Sequence, residues 1–271
     1  MKLKIRDILF YGIFAIGIAL MLLLEWNKAS WFSYEPYGQM CYEILSRLVA
    51  SAVCIALLCR FSLSRLFVFK KPILSPFLVI LPCFAIAINN FPILSVLMGD
   101  ATLGTQATDY VMYALVCLAV GLFEELAFRG CVFTVALERM IKITSPSLRV
   151  FAACVTSSAL FGLVHLANLF AGASVGYVLL QVCYSFLIGG MCAIIMVKTA
   201  NIWYGVALHT IYNFAGGVVP EFGAGQIWTI PTVVLTVVVS LIVAAYVLFL
   251  LFRVRKEEID ALLKGHTDIP T

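Results

Sequence analysis

Charge is scarce in this 271-residue sequence: 12% of its residues are Asp, Glu, Lys or Arg, against 63% hydrophobic residues and a mean hydropathy of +1.06. That balance excludes a soluble domain, which lacks the interior volume to hide so much apolar surface. Other absences narrow the field further. None of the nine cysteines stands two residues from another, so none suggests a metal knuckle, and they read as small apolar side chains. No HExxH spacing occurs, which leaves a zincin-type centre unsupported. Asp7, Asp100, Asp109, Asp260 and Asp268 fall at or outside the ends of the apolar runs, so an aspartate pair cannot work inside the membrane. The sequence has no internal repeat, low-complexity tract or soluble domain, and the missing repeat counts against a transporter.

What is present is one apolar run after another, and at least about 20 apolar residues are needed to cross roughly 30 Å of hydrocarbon. Eight spans are expected, near Ile8 to Leu24, Ile44 to Leu58, Ile73 to Ile93, Tyr110 to Phe128, Val150 to Phe170, Val175 to Val197, Ile202 to Val219 and Ile227 to Phe252. The second is the shortest of these, and the third carries Pro76, Pro82 and Pro92, each of which removes a backbone donor and favours a kink or break. All should be helical, because a backbone facing lipid must satisfy its own hydrogen bonds. The fold expected is an all-α polytopic membrane bundle forming one domain over residues 1–271. Residues 1–109 carry no recognised motif, residues 110–217 form the core, and residues 218–271 add a last helix and a tail.

Orientation follows from the basic residues. All except Lys28, Arg47 and Arg129 fall on one side of the expected spans, which puts both termini in the cytoplasm. The net charge of +4 is therefore topological and indicates no nucleic-acid partner. Lys2, Lys4 and Arg6 precede an apolar run that continues to Leu24 without a small-residue cleavage site, the pattern of a retained anchor. Compact loops and small size point to a bacterial plasma membrane.

Against this background the polar residues inside the spans stand out, since charge at membrane depth is costly and marks function. Glu124 and Glu125 are adjacent, and on a helix their side chains diverge by about 100°. Arg129 follows Glu125 by four residues, the favourable order for a same-face ion pair, which leaves Glu124 free for chemistry. Phe161 and His165 share a helix face, as do His209 and Asn213. Depth supports convergence in part. Counted from Tyr110, Glu124 lies about 21 Å from the outer boundary, and His209 lies about 10 Å from the cytoplasmic one. His165 fits less well, at about 24 Å from Arg149. Gly172-Ala173-Ser174-Val175-Gly176 matches GxSxG, but that motif needs a strand-turn-helix elbow, and here it reads as a tight turn between membrane helices.

The segments Glu124-Glu125-Leu126-Ala127-Phe128-Arg129, Phe161-Gly162-Leu163-Val164-His165 and His209-Thr210-Ile211-Tyr212-Asn213 resemble, in order and spacing, the three signature motifs of the CPBP intramembrane peptidases. That family includes type II CAAX prenyl endopeptidases and bacteriocin-immunity relatives. The stretch from Gly189, with Lys198-Thr199-Ala200-Asn201-Ile202 ahead of the third motif, is similar as well. The resemblance implies a catalytic Glu124 supported by Glu125, Arg129 and Phe161, with His165, His209 and Asn213 completing the site. It implies water-driven hydrolysis of a membrane-associated peptide, a prenylated CAAX-type tail or a leader or bacteriocin peptide. The cofactor stays open between a metal-free glutamate mechanism and a divalent metal such as zinc on Glu124, His165 and His209. Two other classes compete: a non-enzymatic membrane regulator or self-immunity protein that binds through the same cavity, and a proton-relay transporter.

Overall fold

The computed structural model describes residues 36–69, 74–104 and 106–263, together with Gly12 and Gly17. Apart from those two glycines, the expected first span and the basic residues ahead of it lie outside the described residues. The remainder is mostly helical. Helix α1 runs Pro36–Arg60 and is followed by a 3-10 turn, Ser64–Phe67, then α2 (Leu74–Asn89) and the short α3 (Ile93–Leu97). Helix α4 (Ala107–Glu124) passes without interruption into a π-helical segment, Glu125–Phe133, and α5 (Thr134–Arg139), one rod of 33 residues. Helix α6 (Pro146–Val164) ends in a 3-10 turn, His165–Leu169, and leads to α7 (Val175–Thr199), α8 (Trp203–Phe222), α9 (Ile230–Phe252) and α10 (Lys256–Leu263). Two-residue strands β1 (Ala101–Thr102) and β2 (Ala224–Gly225) pair antiparallel, Ala101 opposite Gly225, and tie the connection before α4 to the one after α8.

The helix ends follow from local chemistry. Ser145 caps α6, its hydroxyl accepting from the Leu148 amide, and Pro146 takes the first helical position, where no donor is needed. Ser174 caps α7 by accepting from the Tyr177 amide at 3.3 Å. Its partner in the apparent GxSxG pattern, Gly172, has φ of +87°, a left-handed turn that glycine adopts without strain. The serine is thus a helix cap on a tight turn. Between α7 and α8, Ala200 takes a left-handed conformation and the Asn201 side chain accepts from the Trp203 amide. The same turn docks on the 3-10 segment after α1, with Ile202 N bonded to Leu66 O and Trp203 Nε1 to Phe67 O.

Seven described helices correspond to the second through eighth expected spans, and five of them are long and apolar enough to cross a membrane. Two expectations about length reverse. The second span is a full 25-residue helix, because Glu43 and Arg47 near its head depress hydropathy without interrupting the backbone. The third is the short one at 16 residues: it accommodates Pro82 internally, stops at Asn89, and resumes as α3 behind Pro92. Helix α8 has 20 residues but carries so many glycines and polar groups that it falls outside the five.

The outward faces are apolar. On α9, Ile230, Leu241 and Phe252 are 81%, 66% and 74% exposed, as expected where lipid is the solvent. Inside, one cluster joins Leu126, Phe133, Val150, Ala193 and Ile202 with Ile259 and Leu262 of α10, while a second joins Ile80, Ala87, Cys192, Ile195 and Leu208. Lys198 on α7 anchors α10 by bonding Glu258 at 3.0 Å and the Arg253 carbonyl. The polar residues expected in the spans lie where α4, α6, α7 and α8 meet.

Candidate active site

The π-helical segment starts at Glu125 and holds Arg129. Short π segments inside helices recur at functional sites because the extra residue per turn redirects side chains. Here both ends of the Glu125–Arg129 pair are 1% exposed, and Arg129 Nη1 stands 3.2 Å from Glu125 Oε1. The guanidinium lies over the Phe161 ring at 4.4 Å, and its Nε reaches the Gly189 carbonyl on α7 at a long 3.4 Å. The Cys192 thiol bonds Glu125 from the same helix. The same-face pairing read from sequence is present.

Two glycines make the recess for this pair. A Cβ on Gly189 would stand 2.9 Å from Arg129 Nη2 and 3.0 Å from Ser158 Oγ, and one on Gly205 would stand 3.0 Å from Glu125 Oε2. Any side chain there would push the charges apart.

His209 joins the two glutamates. Its Nδ1 is 2.8 Å from Glu125 Oε1 and its Nε2 is 3.3 Å from Glu124 Oε2, so one imidazole is held by a carboxylate at each nitrogen. The expected divergence of Glu124 and Glu125 is real, but the ring is wide enough to bridge it. The two carboxylates differ in setting: Glu125 is sealed at 1% exposure and balanced by Arg129, whereas Glu124 is 16% exposed and, among the described residues, pairs with the imidazole alone. An ionised carboxylate only accepts hydrogen bonds, so an ionised Glu124 bonds His209 Nε2 when that nitrogen carries a proton. The arrangement can therefore hold one mobile proton beside a carboxylate open to water.

Phe161 is the packing centre of the site. It is 2% exposed, with ring centroids 4.9 Å from Phe128, 5.1 Å from His165 and 5.7 Å from His209, edge-on to both imidazoles. His165 starts the 3-10 turn after α6, and its Nδ1 bonds the Phe161 carbonyl at 2.9 Å. Asn213 lies one turn beyond His209 on α8 and is half-buried. The structure thus brings Glu124, Glu125, Arg129, Phe161 and His209 into contact, with His165 joined through Phe161.

The depth mismatch of His165 also finds its cause. Glu124 stands fifteen residues before Arg139, and Phe161 fifteen residues after Pro146, about 22 Å in each case. The helical hairpin turning at residues 140–145 therefore sets them level. The Phe128 boundary expected for the fourth span was the wrong datum, because that helix continues to Arg139.

Among the described residues, no three His, Cys, Asp or Glu side chains are grouped as a metal site would require. Glu124 and His209 touch, but His165 is not grouped with them closely enough to share an ion, so the expected Glu124, His165 and His209 ligand set does not fit as placed. Sequence reasoning missed the part played by α7. A glycine carbonyl, a thiol and small residues in an apolar helix give no signal of their own.

Residues 106–215 match the family model for type II CAAX prenyl endopeptidase Rce1-like proteins. The match covers less than half of the chain, and it spans α4 to most of α8 together with every candidate residue. No curated protein and no solved structure matches the chain.

Proposed function

With residues 106–215 an Rce1-like domain of a multi-pass membrane protease family as the premise, we propose that this chain is an intramembrane endopeptidase that hydrolyses a membrane-associated peptide with water activated by Glu124. The observation that carries the reading is His209 held between Glu124 and Glu125, with Arg129 balancing only Glu125. Two carboxylates of equal sequence character are thereby given different roles, one fixed and one free to exchange a proton.

In the resting state Glu124 is anionic and His209 carries the shared proton. Glu124 removes a proton from water as the oxygen attacks the scissile carbonyl, whose π electrons move onto oxygen. Once Glu124 is neutral, the Nε2–H of His209 is released from it and turns to the oxyanion, together with the Asn213 amide. Glu125 and Arg129 hold Nδ1 of the same ring, so the imidazolium keeps its orientation throughout. As the C–N bond breaks, Glu124 returns its proton to the leaving amine. His165, fixed by the Phe161 carbonyl, borders the chamber where the water stands.

The substrate class follows from placement. A site shielded by helices inside a membrane protein suits a peptide held at the membrane by lipid or by its own anchor, either a prenylated tail or a leader or bacteriocin-type peptide. The membrane proposed is a bacterial plasma membrane with both termini in the cytoplasm. Purified protein in lipid, offered a panel of such peptides, tests the reading. Wild type should cleave at least one, and Glu124→Gln should lose about 10² to 10⁴-fold in kcat. A chelator should leave the rate unchanged. Full activity in Glu124→Gln removes the mechanism, while retained biological function in both Glu124→Gln and His165→Ala favours a binding role.

A further inference from the structure

The wide turn that carries Arg129 is held by hydroxyl groups. Ser157 of α6, 1% exposed, donates its Oγ hydrogen to the Phe128 carbonyl at 2.7 Å. Thr134, also buried, serves the other end of the segment, its hydroxyl lying against the carbonyls of Gly130 and Cys131, the latter at 3.1 Å. A carbonyl oxygen has two lone pairs, so each can keep a backbone donor and take a hydroxyl as well. π turns are rare, and these bonds favour this one where it stands.

The two hydroxyls are not equivalent. Thr134 lies on the rod itself and cannot fix the rod against a neighbour. Ser157 comes from another helix, and the carbonyl it bonds belongs to the peptide unit that ends in the Arg129 nitrogen. That unit is planar, so a bond to its oxygen fixes the plane from which the Arg129 side chain departs. Phe161 stands one turn beyond Ser157 on the same face of α6, and its ring meets the Phe128 ring at 4.9 Å and the Arg129 guanidinium at 4.4 Å. Helix α6 therefore grips Arg129 at two points, the backbone through a hydroxyl and the guanidinium through a ring.

Resting on the hydrolytic reading above, we propose that Ser157 is a positioning residue of this site. It touches no reacting atom. It acts through the Phe128–Arg129 peptide on the guanidinium, which stands 3.2 Å from Glu125, and Glu125 in turn holds His209 at 2.8 Å. Without the bond the wide turn is free to shift against α6, and the displacement is passed to the imidazole that faces Glu124. Thr156, the preceding residue, supplies the contrast: its hydroxyl donates to the Ala152 carbonyl at 2.9 Å, so its hydrogen stays within α6.

The test compares Ser157→Ala, Ser157→Cys, Thr156→Val and Glu124→Gln with the wild-type chain, purified in lipid with a cleavable membrane-bound peptide. Steady-state kinetics are read beside the Arg129 Nε–H signal in heteronuclear NMR, identified by its loss in Arg129→Lys. The Phe161 ring current displaces that signal while the guanidinium lies over the ring. Ser157→Ala should lose about 10 to 100-fold in kcat with KM unchanged, the scale of a small misplacement, and its Arg129 signal should move toward that of an exposed arginine. Ser157→Cys, a weaker donor, should fall between. Thr156→Val should match wild type in both readouts. A Ser157→Ala rate within twofold of wild type, beside an inactive Glu124→Gln, overturns the assignment and leaves the peptidase reading standing. So does a loss confined to KM, an equal loss in Thr156→Val, or a lower kcat with the Arg129 signal unmoved, which marks a structural role. If Ser157→Ala does not fold, Ser157→Cys decides on the same readouts. If Glu124→Gln matches wild type, or wild type cleaves nothing in the panel, the hydrolytic reading falls and this assignment falls with it.

Discussion

Arg129 is the residue on which the site's electrostatics turn. It is 1% exposed and balances a glutamate that is equally buried, so removing it strands an anion in a low-dielectric interior. Arg129→Ala should therefore lower stability by about 3 to 5 kcal/mol, measured by thermal or denaturant unfolding in detergent. The double variant Glu125→Gln with Arg129→Met should lose less, because no bare charge remains, yet it should be inactive, since His209 Nδ1 then faces a neutral amide in place of a carboxylate. Gly205→Ala probes the same contact from the other side. Its methyl group would crowd Glu125 Oε2, so activity should fall several-fold while the unfolding midpoint drops by an amount corresponding to about 1 to 3 kcal/mol. At this scale the sequence was informative wherever a polar residue broke an apolar run, as at Glu124, Glu125, Arg129, His165, His209 and Asn213. It was silent wherever the contribution came from a missing side chain or a backbone carbonyl, as at Gly189 and Gly205.

The elements show the same division. Helix caps are local, so the turn at Gly172–Gly176 could be recognised from its small residues, and Ser174 proves to cap α7. Ser174→Ala should cost about 1 kcal/mol of stability and leave peptide cleavage unchanged. An inactive but folded Ser174→Ala protein would restore the serine-nucleophile alternative. The π-helical segment, by contrast, was illegible, because Glu125–Phe133 has the composition of any α-helix in a membrane. The extra residue per turn is imposed by tertiary contacts, among them Leu58 beneath Gly130 and Ser157 Oγ bonded to the Phe128 carbonyl at 2.7 Å. Deleting Ala127 should relax the segment to an ordinary α-helix and leave Arg129 three residues from Glu125, on the same face but displaced from its 3.2 Å contact. Circular dichroism should then show helix content retained while cleavage is lost. Element lengths failed in the sequence reading for a related reason: hydropathy averages over side chains and does not register a backbone break such as the one between Asn89 and Ile93.

For the whole molecule, hydropathy was enough to give an all-α membrane bundle, because lipid permits few alternatives. The relative heights of the helices could not be read. They depend on which helices pair and where each hairpin turns, and the level match of Glu124 with Phe161 appears only when the α5 to α6 turn is known. The rod that makes this match possible has 33 residues and measures about 50 Å if fully α-helical, against roughly 30 Å of hydrocarbon. A rod so much longer than its solvent must lean, protrude or thicken the surrounding bilayer, each at a modest energetic cost per ångström of mismatch. Lipid chain length thus becomes a control on this protein: longer acyl chains draw the rod upright, shorter ones tip it, and Glu124 moves with it. Host-membrane thickness should accordingly tune turnover without any ligand touching the protein, and reconstitution across a series of acyl lengths should give a rate maximum that a detergent micelle cannot reveal.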